Sequence, residues 1–193
     1  MSTDTYYPPG TFADQDGITV SGLIIAPPDL GAGLSSPFKC SHLTNSTLED
    51  VTVIAGNQRE NGWDSNRFCQ GNTFRRMKID GNPNGNAAIQ FKCGFRNNVI
   101  DDVLITKPGK NSDWYEGDFA DYYLTTSRKD NYSRGNRRNN VRRDDAQPVR
   151  VAWTFFRSEK PTFTNSNVTY QYGLSLIRTI YVELKVAFPK LIP

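Results

Sequence analysis

Carboxylates and aromatic rings are interleaved between Asp113 and Tyr123, and this mixture is suited to binding sugars. Aromatic rings offer a flat apolar face for stacking, and carboxylates accept hydrogen bonds from hydroxyl groups. Two of the carboxylates could also act as acid and base in glycoside cleavage. The alternative is a loop whose rings pack on the rest of the protein or on a neighbouring subunit. The aromatic contact candidates are Trp114, Tyr115, Phe119, Tyr122 and Tyr123, together with Trp153.

A basic stretch from Arg128 to Arg150 is the second candidate for contacts. It holds eight Arg or Lys residues against three Asp, a net charge of +5, whereas the whole chain carries +3. Such a stretch could bind nucleic-acid phosphates, dock on an acidic protein surface such as a capsid shell, or remain a solvated loop. The pI of 8.7 does not favour a dedicated nucleic-acid binder. The arginine contact candidates are Arg134, Arg137, Arg138, Arg142 and Arg143.

Three cysteines and one histidine offer the ligand types of a structural zinc site, namely Cys40, His42, Cys69 and Cys93. If the cysteines share one column of stacked coils, Cys40 and Cys93 lie two coils apart, on the order of 9–10 Å. Zinc–sulfur bonds of about 2.3 Å do not span that distance. We therefore expect a buried cysteine stack, a partly exposed His42, and no metal or cofactor.

Motifs that carry catalysis are absent from the chain. It has no Gly-rich phosphate loop, no H-E-x-x-H, no G-x-S-x-G and no C-x-x-C. Any Ser-His-Asp mechanism would have to use His42, the single histidine. We assign no catalytic residue and expect a protein that is not an enzyme.

A repeated element must position the candidate residues. The pattern apolar-x-x-apolar-x-apolar recurs four times at nearly even spacing, and a turn follows each copy. Stacked coils of this length pair equivalent strands in parallel, about 4.8 Å apart, and bury one continuous core. The copies are Val20–Ile25, Leu48–Val53, Phe74–Ile79 and Ile100–Ile105.

The stacking predicts both buried and exposed columns. One inward column is predicted to hold Leu23, Val51, Met77 and Val103, and another Ile25, Val53, Ile79 and Ile105. The residues between the first two apolar sites are Glu49-Asp50, then Arg75-Arg76, then Asp101-Asp102. Opposite charges on adjacent strands are favourable, so we interpret this alternation as exposed structural ladders rather than catalytic carboxylates.

The segments SNRFCQGNTFRRMKIDGN and KCGFRNNVIDDVLITKPG resemble the pectin-lyase-like right-handed parallel β-helices, over about residues 14–110. That superfold includes polysaccharide lyases, polygalacturonases and many phage tailspikes. The resemblance implies charged residues on one exposed strand face of the middle coils. Asp101 and Asp102 are the nearest match, but Arg75 and Arg76 neutralise that surface, so no catalytic residue is carried over.

The expected fold is all-β: a short right-handed parallel β-helix of about five coils with a period of about 26. We expect an N-terminal arm at 1–13, the β-helix at 14–156 with an inserted loop at about 111–150, and C-terminal β-strands at 157–193. Alternating apolar residues at 149–155, 168–172 and 180–186 predict the later strands. These strands would cap the helix or form an oligomer interface.

The expected location is a virus particle, with synthesis in the host cytoplasm. The N-terminus has no basic and apolar signal regions, no stretch approaches 18 apolar residues, and an odd, sparse set of cysteines suits a reducing compartment. A short β-helix with an unrepeated end resembles phage decoration, cement, fibre and tail proteins, which are often homotrimers. We expect a structural virion protein that docks on the major capsid or tail protein. The alternatives are a protein that binds or cleaves host surface glycans, and a nucleic-acid binder acting through residues 128–150.

Overall fold

The computed structural model describes residues 11–26, 36–57, 60–66, 68–92, 94–107, 112–117, 133–143, 151–156, 158–159, 162–164 and 175–176. Within these residues the chain is all-β, and the strands pair in parallel to form a β-solenoid of about three turns with a period of about 26. The described part contains no helix that could span a membrane.

The strands form two long sheets and one short pair. The first sheet has the order β1 (Thr11–Ala13), β4 (Phe38–Ser41), β7 (Asn61–Asn66), β9 (Ala87–Lys92), β11 (Ser112–Gly117), β14 (Val151–Phe156) and β17 (Ser175–Leu176). The second has the order β16 (Thr162–Thr164), β13 (Arg137–Arg143), β10 (Val99–Thr106), β8 (Thr73–Asp80), β5 (Thr47–Glu49) and β2 (Thr19–Ser21), extended by β3 (Ile24–Ile25) and β6 (Thr52–Ile54). Strand β12 (Ser133–Arg134) pairs with β15 (Ser158–Glu159).

The register confirms the repeat predicted from the sequence. Val20 pairs with Leu48, Leu48 with Phe74, and Phe74 with Ile100, which are the predicted starts of the four copies. The inward columns are buried in the middle coils, as expected. Leu23 is the exception at 36 % exposed, because among the described residues its coil is the last one of the second sheet.

The predicted count of five coils is not confirmed. The nearly even spacing of the four copies does not continue, since Val103 pairs with Val141 across a longer interval of chain. The next interval, from Asn139 to its partner Thr164, is short again. Strand β14 lies where alternation predicted a strand, whereas the predicted strands at 168–172 and 180–186 lie outside the described residues.

Aromatic rings fill the core between the two sheets. Trp63 is fully buried, with ring centroids 5.3 Å from Phe38 and 4.7 Å from both Phe74 and Phe91. Its indole N–H donates to Ser65 Oγ at 3.1 Å, which supplies a partner for the buried polar atom. Edge-on contacts of this kind add about 0.5–1.5 kcal/mol beyond area burial.

A column of buried asparagines lies at the corner where the chain passes from the first sheet to the second. The backbone N–H of Asn72 donates to Asn98 Oδ1, and that of Asn98 donates to Asn136 Oδ1, each at 2.9 Å. Their side-chain amides also donate to corner carbonyls, from Asn98 to Cys69 O at 3.0 Å and from Asn136 to Phe95 O at 2.8 Å. The column therefore satisfies main-chain groups that the corner removes from the sheets.

The residue before each column position has a left-handed backbone. Gly17, Asn45, Gly71, Asn97 and Gly135 have φ values from 50° to 69°, and glycine and asparagine tolerate this region best. A Cβ atom at Gly71 would lie 2.9 Å from Asn45 Oδ1, and one at Gly135 would lie closer still to Asn97 Oδ1. Asparagine and glycine alternate from coil to coil at this position because the side-chain amide of each asparagine occupies the space that a Cβ atom would need in the next coil.

Cys40 and Cys69 are both buried and their thiols are neighbours, as the predicted cysteine stack requires, but the two residues are not register partners. Cys40 is buried but stands over Ser65, which in turn pairs with Phe91, while the buried Cys69 lies at the corner after β7. Burial raises the pKa of the Cys40 thiol well above its ordinary value, and the neighbouring Cys69 thiol raises it further. Cys93 lies outside the described residues.

We predict that Asn98→Ala lowers the free energy of unfolding by roughly 1–3 kcal/mol, because the buried N–H of Asn72 loses its acceptor. Denaturant unfolding followed by circular dichroism measures the change. Asn139→Ala is the control, since Asn139 donates to the carboxylate of Asp101 on the partly exposed face. Equal losses in the two variants would contradict a special role for the buried column.

We predict that Gly135→Ala destabilises the protein more than Gly17→Ala does. Both positions have a left-handed φ, but a Cβ at Gly17 meets nothing within 4 Å. The Gly17 variant carries backbone strain of roughly 1–2 kcal/mol, and the Gly135 variant adds the collision with Asn97. Thermal unfolding of the double variant Asn97→Gly/Gly135→Ala isolates the collision, because it should return to the Gly17→Ala level. No recovery would refute the proposed fit.

Candidate functional site

Ion pairs between coils cover the exposed face of the second sheet. Arg75 Nε lies 2.5 Å from Glu49 Oε2, and Arg76 lies 2.7 Å from Asp50 and 2.8 Å from Glu49. Hydrogen bonds from these arginines lower the pKa values of Glu49 and Asp50 below their ordinary range. The charges of this face therefore hold adjacent coils together, as the sequence predicted.

Asp101 and Asp102, the nearest match to catalytic carboxylates, bond to the following coil. Asn139 Nδ2 donates to Asp101 Oδ1 at 2.7 Å, and Asn140 Nδ2 donates to Asp102 Oδ1 at 2.8 Å. Arg142 also reaches Asp102 Oδ1, at 2.6 Å. Both carboxylates are held in contacts between coils, which supports the structural interpretation.

The predicted arginine candidates all lie in or beside one coil, but their environments differ. Arg137 is exposed, and Arg142 is about half exposed beside Asp102. Arg138 is 2 % exposed and donates to the carbonyl of Asn136 at 3.0 Å. Arg138 therefore does not belong to an exposed contact surface, because its position in the repeat is the inward one of Phe74 and Ile100. Arg134 and Arg143 lie in strands β12 and β13.

The strand register of the first sheet brings some of the aromatic candidates together. Trp114 and Tyr115 lie in β11, and Trp114 is the Cα partner of Trp153 in β14. Tyr115 is the Cα partner of Gln90 in β9. Phe119, Tyr122 and Tyr123 lie outside the described residues.

A cluster of charged and amide groups on the first sheet went unrecognised in the sequence. It is called here the outer polar cluster and consists of Lys39, Glu60, Asn61, Asp64, Gln90 and Lys92. Because Trp63 and Phe91 face the core and side chains alternate along a strand, Asp64, Gln90 and Lys92 lie on the outer face. The members come from three successive coils. Residues of different coils are far apart in the sequence, so no local motif marks the cluster.

The outer polar cluster is bonded internally, and its members Asn61, Asp64 and Gln90 are buried, whereas the side chain of Glu60 is 41 % exposed. Lys92 Nζ lies 3.3 Å from Asp64 Oδ2, and Lys39 Nζ lies 3.9 Å from Glu60 Oε2. Asn61 Nδ2 donates to Gln90 Oε1 at 2.6 Å. Asp64 is 1 % exposed although it faces away from the core. A set of acid, amine and amide groups in such a place is suited to hold polar ligands or to react with one another.

Electrostatics distinguish Glu60 within this cluster. Burial raises its pKa, and the nearby Asp64 carboxylate raises it further, while Lys39 and Lys92 act in the opposite direction. A carboxyl group with a raised pKa keeps its proton to higher pH than an ordinary glutamate, so it can donate or relay a proton.

His42 does not form a catalytic triad with its neighbours. The ring is exposed, as predicted, and its Nδ1 lies 3.3 Å from Ser41 Oγ and 3.4 Å from Asp14 Oδ1. A triad needs the serine on one ring nitrogen and the carboxylate on the other. Here both contact the same nitrogen, so no proton relay connects them.

Within the described ranges, no group of three or more His, Cys, Asp or Glu side chains is arranged to hold a metal ion. That the protein binds no cofactor stays a prediction.

Comparison with protein-family models, curated proteins and solved structures finds no match. The architecture alone therefore defines the class of protein: an all-β parallel solenoid with a period of about 26.

We predict opposite pH effects for two glutamates. The folded pKa of Glu60 lies above 4.5, so folding favours its protonated form and stability falls as pH rises through that window. Glu60→Gln should therefore stabilise the protein at pH 7, and its advantage should shrink as the pH falls toward about 4.5. Denaturant unfolding at several pH values measures this trend.

Glu49→Gln is the matched control with the opposite sign. The folded pKa of Glu49 is lowered by its arginine partners, so its contribution is present at neutral pH and is lost on acidification. Its substitution should cost stability at pH 7 and progressively less in acid. Parallel pH trends for the two variants would contradict the assignment.

Proposed function

We propose that this protein is a structural component of a virus particle, a phage decoration, cement, fibre or tail protein that docks as a homotrimer. The observation that carries the proposal is that the charged side chains on the exposed face of the second sheet bond to side chains of adjacent coils. Glu49, Arg75 and Arg76 bind one another across coils, and Asp101 and Asp102 are bonded to the next coil. Groups of this kind in an enzyme would face a substrate, whereas here they bond adjacent coils to one another.

The interior supports the same role. Each coil adds parallel main-chain pairing and a buried aromatic or aliphatic layer, and three coils also contribute the buried column of Asn72, Asn98 and Asn136. Repeating such contacts gives a rigid solenoid whose stability grows with each neighbouring interface. Rigidity is what a cement or fibre protein requires. We include in the proposal a right-handed solenoid with five or more coils.

The docking surface in this proposal is the basic coil around β13. Its sequence, Arg137–Arg143, holds four arginines and no acid. Asn139 and Asn140 occupy the positions that Arg75 and Arg76 hold two coils earlier, so amides bond to Asp101 and Asp102. This leaves the exposed Arg137 as the main candidate to contact an acidic capsid or tail protein.

A second candidate function is binding or cleavage of a host surface glycan. The observation that favours it is the register of the first sheet, where Lys39, Asp64, Gln90 and Tyr115 are successive Cα partners. This column joins the outer polar cluster to the aromatic and acidic strand β11. Amide, amine and carboxylate groups next to an aromatic strand are suited to sugar hydroxyls and rings.

The test is the solution mass by light scattering, with and without a panel of bacterial surface glycans. A stable species near three times 21.8 kDa that leaves the glycans unbound and intact supports the structural proposal. A monomer, or any species that binds or shortens a glycan, overturns it in favour of the second candidate. Binding to a DNA oligonucleotide with a steep loss at higher salt overturns it in favour of a nucleic-acid binder.

The location of the docking surface is tested with two charge reversals, Arg137→Glu and Lys78→Glu. Both residues are exposed, and the substitutions change the net charge equally, but Lys78 lies two coils from Arg137. On immobilised poly-L-glutamate at physiological salt, Arg137→Glu should weaken retention and Lys78→Glu should change it little. Equal weakening would show a response to total charge and would refute a localised basic surface.

A further inference from the structure

Lys92 and Asp64 form a buried contact between two coils that differs from the exposed ion pairs of the second sheet. Their side chains are 16 % and 2 % exposed, compared with 45 % and 18 % for Arg75 and Glu49. Asp64 is the register partner of Gln90, and Lys92 lies two residues further along the same strand. The amine therefore reaches across from the next coil to the carboxyl group, with Nζ 3.3 Å from Oδ2.

Separation and surroundings both suit a condensation between these groups. Reacting atoms held about 3–3.5 Å apart in a fixed geometry reach high effective concentrations. An amine attacks a carboxyl group only when both are neutral, and the transfer of one proton from Nζ to the carboxylate within the pair produces both neutral forms at once.

Glu60 supplies the third group that such a reaction needs. It belongs to the same cluster and interacts electrostatically with both Asp64 and Lys92. Burial raises its pKa, so it keeps a proton to higher pH than an ordinary glutamate and can pass that proton on. Asp64 lies in β7, Lys92 lies in the adjacent strand β9, and Glu60 directly precedes β7.

We propose that Lys92 and Asp64 form an intramolecular isopeptide bond that joins the coils of β7 and β9, with Glu60 as the proton relay. The Lys92 amine attacks Asp64 Cγ and forms a carbon–nitrogen bond. The bond between Cγ and one carboxyl oxygen breaks, and that oxygen leaves as water. Glu60 gives its proton to the leaving hydroxyl and receives one from Nζ, so it is regenerated, and no oxidant or reductant is consumed.

A covalent bond between β7 and β9 would oppose the opening of coils, to which a short solenoid is prone. Each coil contacts only its neighbours, so the stack can open one coil at a time from an end. Residues 64 and 92 lie in successive coils, and linking them closes a loop of about one repeat. By analogy with other cross-links, closing a loop of this length restricts the unfolded chain and raises stability.

The test is the intact mass of the purified full-length protein together with peptide mapping. The proposal expects a mass about 18 Da below that of the sequence, and one branched peptide that contains both residues. A full sequence mass, with the Lys92 and Asp64 peptides separate, overturns it and leaves an ordinary ion pair. The wild-type protein alone decides the question, so a variant that fails to fold does not obscure the result.

Four variants test the chemistry. Lys92→Arg keeps the positive charge but is not a nucleophile, so it should show the full sequence mass. Asp64→Asn should lose ammonia, about 17 Da, in place of water. Glu60→Gln should slow the mass loss after refolding. Lys78→Met is the control, since Lys78 is exposed on the second sheet and lies outside the outer polar cluster, and it should cross-link like the wild type. A mass loss retained in Lys92→Arg would refute the assigned residues.

Discussion

Parallel main-chain pairing between successive coils is the constraint on which the other features of this protein depend. It places each residue above its counterpart in the coil before, as in the series Val20, Leu48, Phe74 and Ile100. A slip of one residue would exchange inward and outward faces along a whole strand. Core packing, the ion pairs and the outer polar cluster all require this one register.

The corner between the two sheets places the strictest requirements on which residues can stack. Main-chain groups leave the strands there, and the buried column of Asn72, Asn98 and Asn136 bonds to them. One residue earlier the backbone is left-handed, and glycine alternates with asparagine because an amide from one coil fills the space of the next coil's Cβ. A single steric rule thus links residues that are far apart in the chain.

The two sheets use charge in different ways. On the second sheet, Glu49 and Arg76 meet near the surface, where water screens the pair and its contribution to stability is modest. On the first sheet, Lys92 and Asp64 meet almost without water, where every polar group needs a partner. The exposed ion pairs of the second sheet are suited to holding adjacent coils together. The buried pair of the first sheet is where chemistry or ligand binding would occur.

The sequence by itself determined the period, the four aligned copies, the buried columns and the alternation of charge, because each is a local pattern repeated at a fixed interval. It missed the return of the repeat at Asn136–Arg143, since Arg138 occupies an apolar position there and the interval before it is longer than the others. Only the tertiary structure made Ser65, rather than Cys69, the register partner of Cys40 and brought Asp64, Glu60 and Lys92 into one cluster. Those contacts form between strands of different coils, and the register of these strands depends on the geometry of the corners. The spacing of residues within a single coil therefore does not predict them.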